Sequence, residues 1–113
     1  MKREKSKLEV GEDGTKRWMN SKGQLHRLDG PAYEESDGSK SWWVQGQRHR
    51  LDGPAIEWSD GSKEWWVQDK LHRLDGPAVE YSNGTKSWWV QGKELTEQKF
   101  KEQMNIIKNL ERL

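Results

Sequence analysis

The 113-residue chain has no cysteine, one phenylalanine and three prolines. Without thiols there are no disulfides and no thiolate chemistry, which fits a reducing compartment. Hydrophobic residues supply only 30% of the chain and charged residues 35%, a balance that ordinarily leaves too little apolar surface to offset chain entropy. No apolar run approaches the roughly 20 residues of a membrane span, and the opening MKREKSKLEV lacks the apolar stretch of a signal peptide. Twenty basic residues stand against 19 acidic ones, a net charge of +1, so no global field holds nucleic acid or a membrane surface. A soluble cytoplasmic protein is expected.

What the chain does have is tryptophan and repetition. Eight tryptophans, each able to bury on the order of 200 Å², can support a thin aromatic-rich structure where a thick aliphatic core cannot form. The heptapeptide HRLDGPA occurs unchanged at His26–Ala32, His49–Ala55 and His72–Ala78, a period of 23 residues, and the Asp-Gly or Asn-Gly pairs at 37, 60 and 83 keep the same spacing. Asp13-Gly14 precedes Asp37-Gly38 by 24, so a degenerate first unit carries one extra residue near MNSKG. Such a period marks a repeat array whose units bury their apolar faces against each other.

Within a unit, PAIEWSDGSKEWWVQD reads as a β-hairpin, with the Asp-Gly or Asn-Gly tip predicting a type I′ turn. Strand alternation puts Tyr33, Ile56 and Val79 on one face and Glu34, Glu57 and Glu80 on the other. The paired tryptophans must split, with Trp42, Trp65 and Trp88 on one side and Trp43, Trp66 and Trp89 on the other. A second tight turn is expected where Gly46 and Gly92 follow the strand; Asp69 stands there in the third copy, and Asp tolerates the left-handed region better than most residues. HRLDGPA then links one hairpin to the next. Gly-Pro imposes an extended step, with Leu28, Leu51 and Leu74 expected in the core and each Asp pairing with its Arg or capping the turn.

The fold class is therefore mainly β, a tandem antiparallel hairpin array with one carboxy-terminal helix. Its divisions are a flexible basic tail over 1–7, hairpins over 8–95 with units near 8–25, 26–48, 49–71 and 72–95, and a helix over 96–113. Thr96 is the expected N-cap, with Leu95 and Phe100 as a hydrophobic staple. Phe100, Met104 and Ile107 form one apolar stripe and Ile106, Leu110 and Leu113 a second. This surface is too broad to leave in water. It predicts a cap over the end of the sheet, a homodimer or higher oligomer through the helix, or both.

WVQGQRH at Trp43–His49 fits the W-x-x-G-x-x-H core of the MORN repeat, and the continuation RLDGPA departs from it. The chain is similar to a MORN-like variant, W-x-x-x-G-x-x-H-R-x-D-G-P-A, found in small proteins of tailed bacteriophages and large viruses. The ending WWVQGKELTEQKF also resembles theirs. The resemblance implies a hairpin-repeat fold and, for a viral protein, the host cytoplasm. Repeats of this kind serve lipid binding, scaffolding and assembly, so it implies no single activity.

Catalytic chemistry finds no support in the spacing. Equivalent histidines of successive hairpins stand two strands apart, roughly 10 Å, too far to share a zinc ion. Phosphate loops and nucleophile elbows are absent. No catalytic residue, metal or cofactor is expected. The candidate binding residues are Trp43, Trp66 and Trp89, with His26, Arg27, His49, Arg50, His72 and Arg73: aromatic faces for a ring, guanidinium and imidazole for a phosphate. Two readings follow. One is an anti-defence sponge that sequesters a host nucleotide immune signal of the cyclic ADP-ribose or cyclic dinucleotide type. The other is an interaction module whose Trp-rich hairpin face blocks a host defence protein. Tryptophan and arginine dominate protein interfaces as well, so composition does not separate them.

Overall fold

Short alternating segments around each Asp-Gly or Asn-Gly tip form the expected antiparallel hairpins in the computed structural model, which describes residues 5–112. The elements in chain order are β1 (Lys7–Val10), β2 (Lys16–Met19), β3 (Tyr33–Glu34), β4 (Lys40–Ser41), β5 (Trp43–Val44), β6 (Gln47–Arg48), β7 (Ile56–Glu57), β8 (Lys63–Glu64), β9 (Trp66–Val67), β10 (Lys70–Leu71), β11 (Val79–Glu80), β12 (Lys86–Val90), β13 (Lys93–Leu95) and the helix α1 (Glu97–Glu111). Nine of the strands make one sheet in the order β1-β2-β3-β4-β7-β8-β11-β12-β13. Of the predicted basic tail, residues 1–4 lie outside the described residues, as does Leu113 of the second helix stripe; Lys7 already belongs to β1.

The register explains how so charged a chain can be a sheet. Lys16, Glu34, Lys40, Glu57, Lys63, Glu80 and Lys86 face one another in succession across six strand pairs, so every neighbour in the row has the opposite sign. On the other face Ser41 sits between Tyr33 and Ile56, a small residue between two large ones.

The tip turns differ from expectation. Gly38, Gly61 and Gly84 adopt positive φ, but the Asp or Asn before each does not. Glu35 donates to the Ser39 carbonyl and Gly38 to that of Glu35, which makes a three-residue loop: a type I turn closed by a left-handed Gly. The Asp37 carboxylate accepts the Ser39 N–H at 2.8 Å. The two-residue type I′ turns lie instead at Gln45-Gly46, Gln68-Asp69 and Gln91-Gly92, where both residues have positive φ. The first unit's second loop is again the longer kind, with Gly23 donating to the Asn20 carbonyl. This accounts for its extra residue.

Each unit thus holds two hairpins. The chain leaves the main sheet at Trp42, and again at Trp65, to form the ladders β5–β6 and β9–β10; in the last unit β12 runs unbroken into its pairing with β13. These second hairpins are joined along the array, since Gly46 donates to the Leu25 carbonyl, Asp69 to Arg48 and Gly92 to Leu71. The product is a slab of 49 × 41 × 19 Å.

A slab that thin has no room for a thick core. Its buried apolar residues are Ala32, Ala55, Ala78, Val79 and Phe100, joined by small polar groups such as Thr15, Ser39, Ser41 and Ser62. Leu28, Leu51 and Leu74, expected inside, are 55%, 80% and 48% exposed. Their links run over the surface and the space beneath is taken by arginine, as described below. Thr96 caps α1, its hydroxyl accepting the Lys99 N–H, and Phe100 is the buried anchor of the helix against β12 and β13.

Candidate functional site

The link explains its own constancy, residue by residue. The ring nitrogen Nδ1 of His26, His49 and His72 accepts the backbone N–H of Gln45, Gln68 and Gln91, at 2.9, 3.0 and 2.9 Å. Each histidine therefore pins the tight turn that follows it nineteen residues on, and its proton resides on Nε2. The adjacent arginine folds back over the sheet. Its guanidinium lies 4.0, 3.8 and 3.8 Å from the ring centres of Trp18, Trp42 and Trp65 in the three copies. Nε of Arg27, Arg50 and Arg73 donates to Asp29, Asp52 and Asp75 at 3.0, 3.0 and 2.8 Å, and Nη1 to the carbonyls of Pro31, Pro54 and Pro77 at 3.1, 3.0 and 2.9 Å. The Arg27 guanidinium beside Asp29 holds that carboxyl below its ordinary value.

Glycine leaves room for the guanidinium, which lies where a side chain would stand. A Cβ at Gly30, Gly53 or Gly76 would stand 2.9, 2.9 or 3.0 Å from the arginine Cζ. Ala32, Ala55 and Ala78 are fully buried and bond to the neighbouring strands through both backbone groups. Six of the seven letters thus have work inside the fold. Leucine is the seventh, and it faces out.

Between successive links run two open grooves of the same design. One, of 520 Å³, is lined by Trp42, His49, Leu28 and Leu51 among others, and the other, of 630 Å³, by Trp65, His72, Leu51 and Leu74. Asp29 and Asp52 edge the first, Asp52 and Asp75 the second, and these carboxylates are almost fully exposed. Arg50 and Arg73 also approach Glu57 and Glu80, at 3.7 and 3.6 Å.

The expected constellation of binding residues therefore divides. Arg27, His49, Arg50, His72 and Arg73 line the link grooves together with Trp42 and Trp65, while Trp43, Trp66 and Trp89 are elsewhere. Trp43 sits on the opposite face beside Tyr33, Ile56 and Trp58, in a depression of 330 Å³, with its indole N–H on the Ser41 hydroxyl at 2.7 Å. Trp66 and Trp89 donate likewise to Glu64 and Ser87 at 2.9 Å each, and share a 490 Å³ depression beside the second tight turns. His26 is only 2% exposed and its Nε2 is buried without a hydrogen-bond partner, which places it out of reach of a ligand. The indoles do split as alternation requires.

Sequence reasoning missed three features of the site. The link arginines, expected beside Trp43, Trp66 and Trp89, lie over Trp18, Trp42 and Trp65 instead, because the direction of the links is set by no periodicity. Arg48 lies 3.6 Å from the Trp66 ring centre and 2.6 Å from the Asp69 carboxylate; the signal for it was Asp69 itself, standing where the other copies have Gly. The outward leucines carried no signal but their repetition.

Comparisons with protein-family models, with curated proteins and with solved structures gave no match to this chain. Among the described residues no helix is long and apolar enough to cross a membrane, and no group of three or more His, Asp or Glu side chains is placed to hold a metal ion.

Proposed function

We propose that this protein is a non-enzymatic binding module whose working surface is the link face and whose partner is another protein. One observation carries the reading: leucine is kept in every link, and it is the one apolar link residue that stays exposed in every copy. Leu28, Leu51 and Leu74 form a row with a repeat of roughly 10 Å, separated by the Trp-floored grooves and flanked by exposed aspartates. Such a row suits a partner that offers apolar side chains at matching intervals and basic groups at the rim. On the MORN-like resemblance, a host defence protein is the class of partner to try first.

Capture of a nucleotide signal is less well supported by the same surface. The three link guanidiniums are already engaged by carboxylate, carbonyl and indole, and the carboxylates of Asp52 and Asp75 stand on the groove walls. An anion entering there meets guanidiniums that are already paired with carboxylates.

The test has two arms. A photocrosslinking residue at position 51 should trap a discrete protein, and Leu51→Asp should abolish that protein's binding in a purified pair while Trp43→Ala leaves it intact. In parallel, cyclic nucleotides should shift neither tryptophan fluorescence nor melting temperature. A rise of several degrees with one of them, retained in Leu51→Asp, would overturn the proposal in favour of sequestration.

A further inference from the structure

Strand β1 is an open edge, and a long one for this sheet. The inner strands β3, β4, β7, β8 and β11 have two residues each, whereas β1 has four, and among the described residues no strand pairs with its outer side. Long edges are the ones that recruit a further strand. The opposite end of the sheet differs, since α1 packs on β12 and β13 there. All of β1 is exposed, Leu8 by 45% and Val10 by 61%. The hydrogen bonds of β2 fix which backbone groups of β1 are free. Trp18 faces Leu8, but its N–H donates to the Ala32 carbonyl at 2.8 Å and its carbonyl accepts the His26 N–H at 2.9 Å, both on the side away from β1. Leu8 and Trp18 are therefore a non-hydrogen-bonded pair, and Leu8, with Ser6 and Val10 at the strand period, turns its N–H and C=O outward.

We propose that this edge pairs antiparallel with the β1 edge of a second copy of the chain, about a two-fold axis at Leu8. Outward groups sit on Ser6, Leu8 and Val10 alone, so a symmetric ladder has its centre at Lys7, Leu8, Glu9 or Val10. Charge selects among these. A centre at Lys7 sets Lys7 against Lys7, and one at Glu9 sets Glu9 against Glu9, which is repulsive in both cases. A centre at Val10 runs the ladder into the turn at Glu12 and Asp13. With the centre at Leu8, Lys7 of each copy faces Glu9 of the other, Leu8 meets Leu8, and Ser6 pairs with Val10 at both ends. Directly opposite residues of an antiparallel pair project to the same face. Each Glu9 thus stands between Arg17 of its own chain, its partner in β2, and Lys7 of the other copy. The axis is perpendicular to the sheet, so both copies show their link leucines on one side.

The chain has no cysteine, so a single introduced thiol reports the register. Leu8→Cys should oxidise to a covalent dimer, because opposite Cα atoms of a hydrogen-bonded pair stand about 5.5 Å apart, within disulfide reach. Val10→Cys should not, since its two copies lie roughly 13 Å apart along the ladder. By sedimentation equilibrium the full-length wild type should approach twice the chain mass as its concentration rises to roughly 0.5 mM. Lys7→Glu and Glu9→Lys should each weaken association about tenfold or more, and an equimolar mixture of the two variants should associate again. Only pairing between chains gives that rescue, because neither chain carries the other's change. Leu8→Pro removes an outward N–H that the single chain does not use, so it should abolish the dimer with an unchanged circular dichroism spectrum. A wild type monomeric up to roughly 0.5 mM, equal crosslinking at positions 8 and 10, a dimer that survives Leu8→Pro, or a mixture without rescue would each overturn the proposal.

Discussion

The Gln45 N–H donates to Nδ1 of His26 at 2.9 Å across nineteen residues of chain, and the same bond recurs in the next two units. It joins a link to the turn of the following hairpin, and so turns a local motif into an array. His26 makes it inside the fold, whereas His49 and His72 make it at the edge of a groove. His26→Ala should therefore destabilise by about 1–3 kcal/mol, the cost of leaving a donor unpaired in a closed site, and His72→Ala by clearly less, because water can reach Gln91. Urea unfolding of the two variants measures the difference.

Gly53 and Arg50 should be energetically coupled. Gly53→Ala places a methyl 2.9 Å from Arg50 Cζ and should cost about 1–3 kcal/mol by overpacking. In an Arg50→Ala background the same change should be almost neutral, since φ at Gly53 is not in the left-handed region. A double-mutant cycle with additive terms would show that the glycine is kept for another reason.

Asp69 trades two small effects. Its φ of 64° costs an ordinary residue about 1–2 kcal/mol, and its partly exposed pair with Arg48 returns up to about 1 kcal/mol. Asp69→Gly should accordingly change the melting temperature little, whereas Asp69→Ala loses the pair, keeps the strain and should melt several degrees lower.

Acid should loosen the tips of the hairpins. The backbone N–H groups of Ser39 and Ser62 hold the carboxyls of Asp37 and Asp60 below the ordinary value of 3.8, and Arg48 does the same for Asp69. A lowered value in the folded state means that these groups stabilise fully above pH 3.8 and that their contribution is lost as pH falls through the lower, folded value. The unfolding midpoint should thus decline at acid pH below that point, and less steeply in Asp37→Asn with Asp60→Asn, variants that no longer titrate.

Leu51→Asp should leave stability within about 0.5 kcal/mol of the parent, because the side chain is 80% exposed. The same change in a core leucine would cost several kcal/mol. Chemical denaturation therefore checks the outward direction of the link leucines without any knowledge of the partner.

What the amino-acid order alone determined is everything that depends on neighbours along the chain. The 23-residue period marks the units, alternation sends Trp42 and Trp43 to opposite faces, and Thr96 and Phe100 start and anchor the helix. Even the extra residue near MNSKG was visible, though not that it lengthens a loop. Only the assembled sheet decided the rest. The type of each turn follows from how many residues separate the last paired positions, a matter of register between strands. The direction of Leu51 and Arg50 follows from competition for one site under an irregular link, where neither a helical nor a strand period applies. The guanidinium took that site because it could stack on Trp42 and satisfy Asp52 and Pro54 at once, and the leucine, with only apolar contacts to offer, was left on the outside.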